Sequence, residues 1–419
     1  MKSNPEYNTP LPEKAAGEES ALAPSRRSAM SEHEALREDP SGGVGFNRRN
    51  LLKASTLVGG GLIGQVVVPS RAAFAQSSQA EPPNAGKPAR LTEKDVLTKA
   101  RERLYPACRV CPACDGVACA GDPGEMAGAG TGVSFQNNFI ALQRVKLLMR
   151  NVHDIRHADT STTILGQKLS FPAVAAPMGA VATKYGKGMT WEEWFNALVE
   201  GCVAAGTLGS VGDNYQSYPA DEVKGRLELL ARHKGKALYN SKPVPNELIL
   251  KWQPAVEAAG AAWLSIDVDS GPKSMAQLSE IVKATKMPVV VKGIMRVDDA
   301  MRCVDAGVAG IAVSNHGGRR QDHAAGTADV LPAVAAKLKG KIPILTDGCV
   351  ATGVDVLKYL ALGADCVMVG RHLLRAAFGG GPEGVALFMN KMRAELQSAM
   401  VLTGVPSVSK IDNSILYPA

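Results

Sequence analysis

Aromatic residues make up only 5% of this 419-residue chain, and neither sign of charge dominates: 47 Lys and Arg face 40 Asp and Glu, for a net charge of +7. There is no basic block and no basic run interleaved with aromatics, so no nucleic-acid partner is expected. Cysteine is sparse as well, at 8 residues, which excludes a disulfide-dense scaffold. No Gly-x-Gly-x-x-Gly follows the first strand-like run, which counts against a dinucleotide-binding Rossmann fold. The 45% hydrophobic and 21% charged residues are ordinary globular composition.

The first segment has the pattern of an address. Residues 1–47 are rich in Pro, Ser, Ala, Glu and Arg and keep no helical or strand period, as a disordered leader does. Asn47-Arg48-Arg49-Asn50-Leu51-Leu52-Lys53 then precedes an apolar, glycine-containing run to Val68 and the small-x-small site Ala73-Phe74-Ala75. A basic region, an apolar region and a cleavage site in this order are similar to a twin-arginine export signal. A membrane anchor is the alternative, disfavoured by Lys53 and three successive glycines. The chain thus divides into a leader and signal (1–75), an N-terminal extension (76–170) and a catalytic domain (171–419). Export through the twin-arginine translocase implies a periplasmic protein, membrane-associated if the signal is uncleaved.

From residue 171 onward, short apolar runs alternate with helical patterns. The runs are 171–176, 207–211, 236–240, 263–267, 288–292, 310–315, 343–347 and 365–370, with amphipathic stretches such as 191–205, 247–259, 328–339 and 354–362 between them. Eight such repeats predict an α/β fold, a (β/α)8 TIM barrel with an N-terminal extension. A barrel gathers its chemistry at the C-terminal ends of its strands. Those positions read Pro177-Met178, Ser210, Asn240, Asp267, Lys292, Ser314-Asn315-His316, Asp347-Gly348 and Gly370-Arg371.

Among them, His316 can take a proton near neutrality and Arg319 can grip a carboxylate with its fork of donors. Two glycines between the two allow the sharp turn that would face both to the barrel mouth. Asp267 could orient the imidazole as a buried acid does in a triad, and Lys292 could stabilise negative charge on an electron-poor ring. Glycines and Arg371 at the ends of the last two runs suit a phosphate pocket.

These residues carry a family resemblance. Val313-Ser314-Asn315-His316-Gly317-Gly318-Arg319, Asp329-Val330-Leu331-Pro332, Val291-Lys292-Gly293, Asp347-Gly348, Leu362-Gly363-Ala364-Asp365 and Val369-Gly370-Arg371 resemble the FMN-dependent α-hydroxy acid dehydrogenases and oxidases, the group of glycolate oxidase and lactate oxidase. The resemblance spans about residues 170–410. It implies FMN as cofactor and oxidation of a small 2-hydroxy acid to a 2-oxo acid, with oxygen or a membrane quinone or cytochrome as acceptor. His316 would be the base, removing either the hydroxyl proton or the α-proton, with Asp267 in support. Arg319 would hold the substrate carboxylate, and Lys292 would face the flavin edge. Ala176, Pro177, Met178, Ser210, Ser265 and Ser314 would contact the flavin; Asp347, Gly348, Gly370 and Arg371 would hold its ribityl chain and phosphate. A homotetramer is common in the family.

The departures are specific. Asp347-Gly348-Cys349-Val350-Ala351 lacks the arginine that usually closes this motif, Leu238-Tyr239-Asn240 replaces a usual Gln-x-Tyr with Tyr239 as stand-in for substrate binding, and no long lid with a second arginine follows Asp267. A degenerate, non-catalytic flavin- or metal-binding barrel, or another FMN barrel such as an isoprenoid isomerase, is therefore the alternative. Cys108-x2-Cys111-x2-Cys114-x4-Cys119 lies ahead of the barrel. Four thiolates at such spacing suit an iron–sulfur cluster or zinc; a disulfide pair, or thiols with no role, are the other readings.

Overall fold

The computed structural model describes residues 90–122, 126–179, 181, 188–212 and 220–418. The leader and twin-arginine motif lie outside the described residues, in the separate unit Met1–Pro83.

A helix, α1 (Glu93–Leu104), opens the described chain, started by a Thr92–Asp95 capping box. After a cysteine-bearing loop comes α2 (Val133–Arg144). A short antiparallel hairpin follows, β1 (Thr162–Ile164) with β2 (Gln167–Leu169). Eight parallel strands then form one sheet: β3 (Ala173–Ala175), β4 (Gly209–Gly212), β5 (Ala237–Ser241), β6 (Leu264–Asp267), β7 (Val289–Ile294), β8 (Gly310–Val313), β9 (Ile344–Thr346) and β10 (Cys366–Val369). Consecutive strands pair in order and β10 pairs with β3, while the Ala175 amide donates to the Leu208 carbonyl at the β3–β4 seam, so the sheet is a nearly closed barrel. The expected (β/α)8 architecture is therefore present.

The intervening helices are α3 (Trp191–Ala204), α4 (Ala220–Arg232), α5 (Asn246–Ala258), α6 (Met275–Lys283), α7 (Val297–Asp305), α8 (Thr327–Leu338) and α9 (Gly353–Ala361), before a long α10 (Arg371–Leu402). The strands are apolar on both faces because each is covered twice. Val174, Leu208, Leu238, Val290, Ala312, Leu345 and Met368 fill the barrel interior, with Ile164 and Leu169 of the hairpin packed against them. Alternate residues such as Tyr239, Ile266, Val291 and Val313 join the larger outer core under the helices. This alternation decides which strand-end residues reach the mouth.

The segment before the barrel packs on it. α1 lies against α10, and α2 against α8 and the loop after β8. The first contact is close enough that a Cβ at Gly379 of α10 would strike the Val96 carbonyl of α1. Gly379→Ala should therefore destabilise the protein by about 1–3 kcal/mol through overpacking. An unchanged urea midpoint would show that the helices do not approach so closely.

Candidate functional site

Asp267, at the end of β6, is almost fully buried inside the barrel and lies between two lysines. Lys242 Nζ is 2.6 Å from its Oδ2 and Lys292 Nζ is 3.4 Å from its Oδ1. Burial would raise its pKa, but Lys292, His316 and Lys242 outweigh that and hold it well below the carboxylate range. Lys292 also meets Asp269 at 3.3 Å and Asp347 at 3.8 Å. Burial works against its charge, and Asp267, Asp269 and Asp347 more than reverse this, raising it above the ordinary lysine value. Asp347 is itself pushed upward by burial, against the pull of Lys292 and a 2.8 Å hydrogen bond from Ser314.

His316 sits above this group in an unusual backbone state. His316, Gly317 and Gly318 all have positive φ, at 58°, 65° and 77°. A histidine held there is strained and must be fixed by its surroundings. The fixing is visible: the Gly318 amide donates to Asn315 Oδ1 at 2.9 Å, the His316 amide to Ser314 Oγ at 3.1 Å, and Asn315 and Asn138 of α2 exchange side-chain hydrogen bonds at 2.8 and 3.1 Å. A Cβ at Gly318 would collide with the Phe135 amide of α2, so only glycine fits. The N-terminal extension thus shapes the histidine loop.

The acid nearest the imidazole is Asp269, with the expected Asp267 further off on the same side. Both Asp269 oxygens lie within 2.7 and 2.8 Å of His316 Nδ1, whereas Asp267 Oδ2 stands 3.6 Å away. Asp269 sits in the turn just past β6, where it meets the histidine loop, while Lys242 and Lys292 hold Asp267 at the strand end. With Nδ1 engaged, Nε2 is the nitrogen free for a ligand. Lys242, Lys292 and Arg320, whose Nε is 3.6 Å from Asp269 Oδ1, face the three carboxylates here, so the formal charges of the group balance around the imidazole.

A cavity opens over these residues. Ala176, Pro177, Met178, Lys292, His316, Arg319, Asp347, Gly348, Gly370 and Arg371 line it together, as expected. Other expectations fail. Tyr239 points away from the mouth, toward Trp252 and Ile249 of α5, because it alternates with the inward Leu238. Ser210 and Ser265 are buried and do not line the cavity, Ser210 donating to the Ala176 carbonyl at 3.0 Å. Ser314 is likewise behind the wall, holding Asp347 and the His316 amide. Sequence reading missed Asp269, Lys242, Asn138 and Phe135, whose ring lies 3.7 Å from the Arg371 guanidinium. Arg371 also donates to the Gly317 carbonyl at 2.9 Å and the Met126 carbonyl at 3.2 Å.

The sequence profile of the FMN-dependent dehydrogenases matches residues 126–274 and 252–418. The chain belongs to this family. A 2-hydroxyacid oxidase of Dictyostelium discoideum is 32% identical over 328 residues, 69% of this chain and 84% of that one. An L-lactate oxidase of Nostoc sp. is 29% identical, covering 70% of this chain and 92% of the relative. Among solved structures, a mandelate oxidase variant with the C4a-OH-FMN adduct superposes with a TM-score of 0.63 at 26% identity, covering 78% of this chain and 99% of that one.

This FMN-dependent dehydrogenase is thus an oxidoreductase, and its cavity suits the family's cofactor. Asp347 Oδ1 is buried at the wall with no hydrogen-bond partner among the described residues, an acceptor for a ring N–H. The start of α10 at Gly370 borders the same cavity, where helix amides favour a phosphate.

Arg319 is another cation on the cavity wall. Burial, with the charges of Arg371 and Arg320, pulls its guanidinium down to about 9. A bound carboxylate favours the charged form, so affinity is full below that value and is lost as pH rises through it. Calorimetric titration with oxalate should weaken as pH passes about 9; constant affinity to pH 10.5 would remove Arg319 from the anion site.

Proposed function

We propose that this FMN-dependent dehydrogenase oxidises a 2-hydroxy acid to the corresponding 2-oxo acid. The observation that carries the reading is the His316–Asp269 pair at 2.7 Å on a cavity wall shared with Arg319 and Lys292. The named relatives, oxidases of 2-hydroxyacids, lactate and mandelate, support the substrate class.

Each residue has a task in this reading. Arg319 binds the substrate carboxylate and so places the hydroxyl-bearing carbon. His316 Nε2 takes the hydroxyl proton, and Asp269 fixes the tautomer and stabilises the imidazolium that forms. FMN, when bound, takes up the two electrons. Lys292 keeps a fixed positive charge beside the ring, and Lys242 anchors Asp267 so that Lys292 stays in place. Ala176, Pro177 and Met178 would hold the flavin ring, and Gly348, Gly370 and Arg371 its chain and phosphate.

We further propose that the Arg48-Arg49 motif sends the protein to the periplasm, where oxygen or a membrane quinone or cytochrome accepts the electrons, and that the four clustered cysteines hold iron–sulfur or zinc.

The test is the visible spectrum of the purified chain with and without 2-hydroxy acids. The flavin bands should bleach with at least one acid. His316→Ala should keep the bands and lose roughly a hundredfold or more in turnover, the worth of a general base. A variant that kept its rate would show that another group is the base.

A further inference from the structure

The oxidation mechanism leaves the loop between α1 and α2 unused, yet its cysteines converge. Cys108, Cys111, Cys114 and Cys119 all line one small cavity. None of the chain's cysteines is in a disulfide. The opposite wall is Arg375 and Arg371 of α10 with Phe135 and Met126. Arg375 is 5% exposed and donates to Cys114 Sγ at 3.1 Å and to the Cys111 carbonyl at 3.2 Å. Its Nε has no hydrogen-bond partner among the described residues. A buried cation aimed at four thiols is the environment of a bound anion, because a charge left in such a place without a counter-ion is costly.

Four thiolates on one cavity suit an iron–sulfur cluster. With its four thiolates such a cluster would carry net negative charge, and Arg375, which donates to Cys114 Sγ, would answer it.

Position then gives the cluster a task. Cys114, Met126, Phe135 and Arg371 line both this cavity and the flavin cavity, so one layer of side chains separates the two. We infer that the four cysteines hold an iron–sulfur cluster that draws electrons from the flavin site, one at a time, toward an external one-electron acceptor. This rests on the hydroxy acid oxidation proposed above. Substrate oxidation releases two electrons and two protons. The cluster carries one electron per passage, reduced and reoxidised each time; two passages reduce two equivalents of acceptor, and the protons leave to water.

The experiment is metal and acid-labile sulfide analysis of the full chain purified without air, followed by stopped-flow kinetics. Iron and sulfide in equal amounts, several per chain, are expected. Zinc in place of iron, or no metal with four titratable thiols, overturns the cluster. Cys119→Ser, which does not border the flavin cavity, should lose the iron yet keep flavin bleaching by substrate at the wild-type rate. Its reduction of ferricyanide should fall at least tenfold, and undiminished ferricyanide reduction overturns the relay. If Cys119→Ser fails to fold, Cys111→Ser and the wild-type iron and sulfide content still decide. A cluster in a protein whose flavin no hydroxy acid bleaches would refute the proposed reaction and leave the metal site standing.

Discussion

The burial of Asp267 between Lys242 and Lys292 is the constraint on which the site depends. An ionised carboxylate cannot sit inside a barrel without partners, nor can a lysine. Here each makes the other tolerable, and the lysine is then available to Asp269, just past β6, and to Asp347, just past β9. The ends of β6, β7 and β9 are thereby tied together. Hydrophobic replacement of such a pair costs little stability, but it would leave no fixed charge beneath the cavity. The site's electrostatics and its geometry therefore come from the same contacts.

The N-terminal extension is the second support. Asn138 and Phe135 of α2 set the strained loop that carries His316, and Phe135 and Met126 hold Arg371 in place. Part of the mouth is thus built from sequence that precedes the first barrel strand.

Much of this was legible in the chain. All eight barrel strands fall on the short apolar or β-branched runs, and the cavity-lining glycines, His316, Arg319 and Lys292 follow from their places at strand ends. The failures have physical causes. Tyr239 was assigned to the site from a motif, although alternation with Leu238 and Asn240 sends it outward. Asp269 was passed over because the strand run stops at Asp267. Lys242 lies just past the fifth strand's end for the same reason. α1, α2 and the hairpin carry weak or short periods among glycines and prolines, and their order comes from contact with the barrel, which no local pattern encodes.

The account turns on Asp269, rather than Asp267, as the partner of the histidine. The most direct test is steady-state kinetics of Asp269→Asn with the flavin bound. The amide keeps the shape but not the charge that stabilises the imidazolium, so kcat should fall by roughly a hundredfold or more while the flavin spectrum is retained. A variant with wild-type kcat would contradict the account.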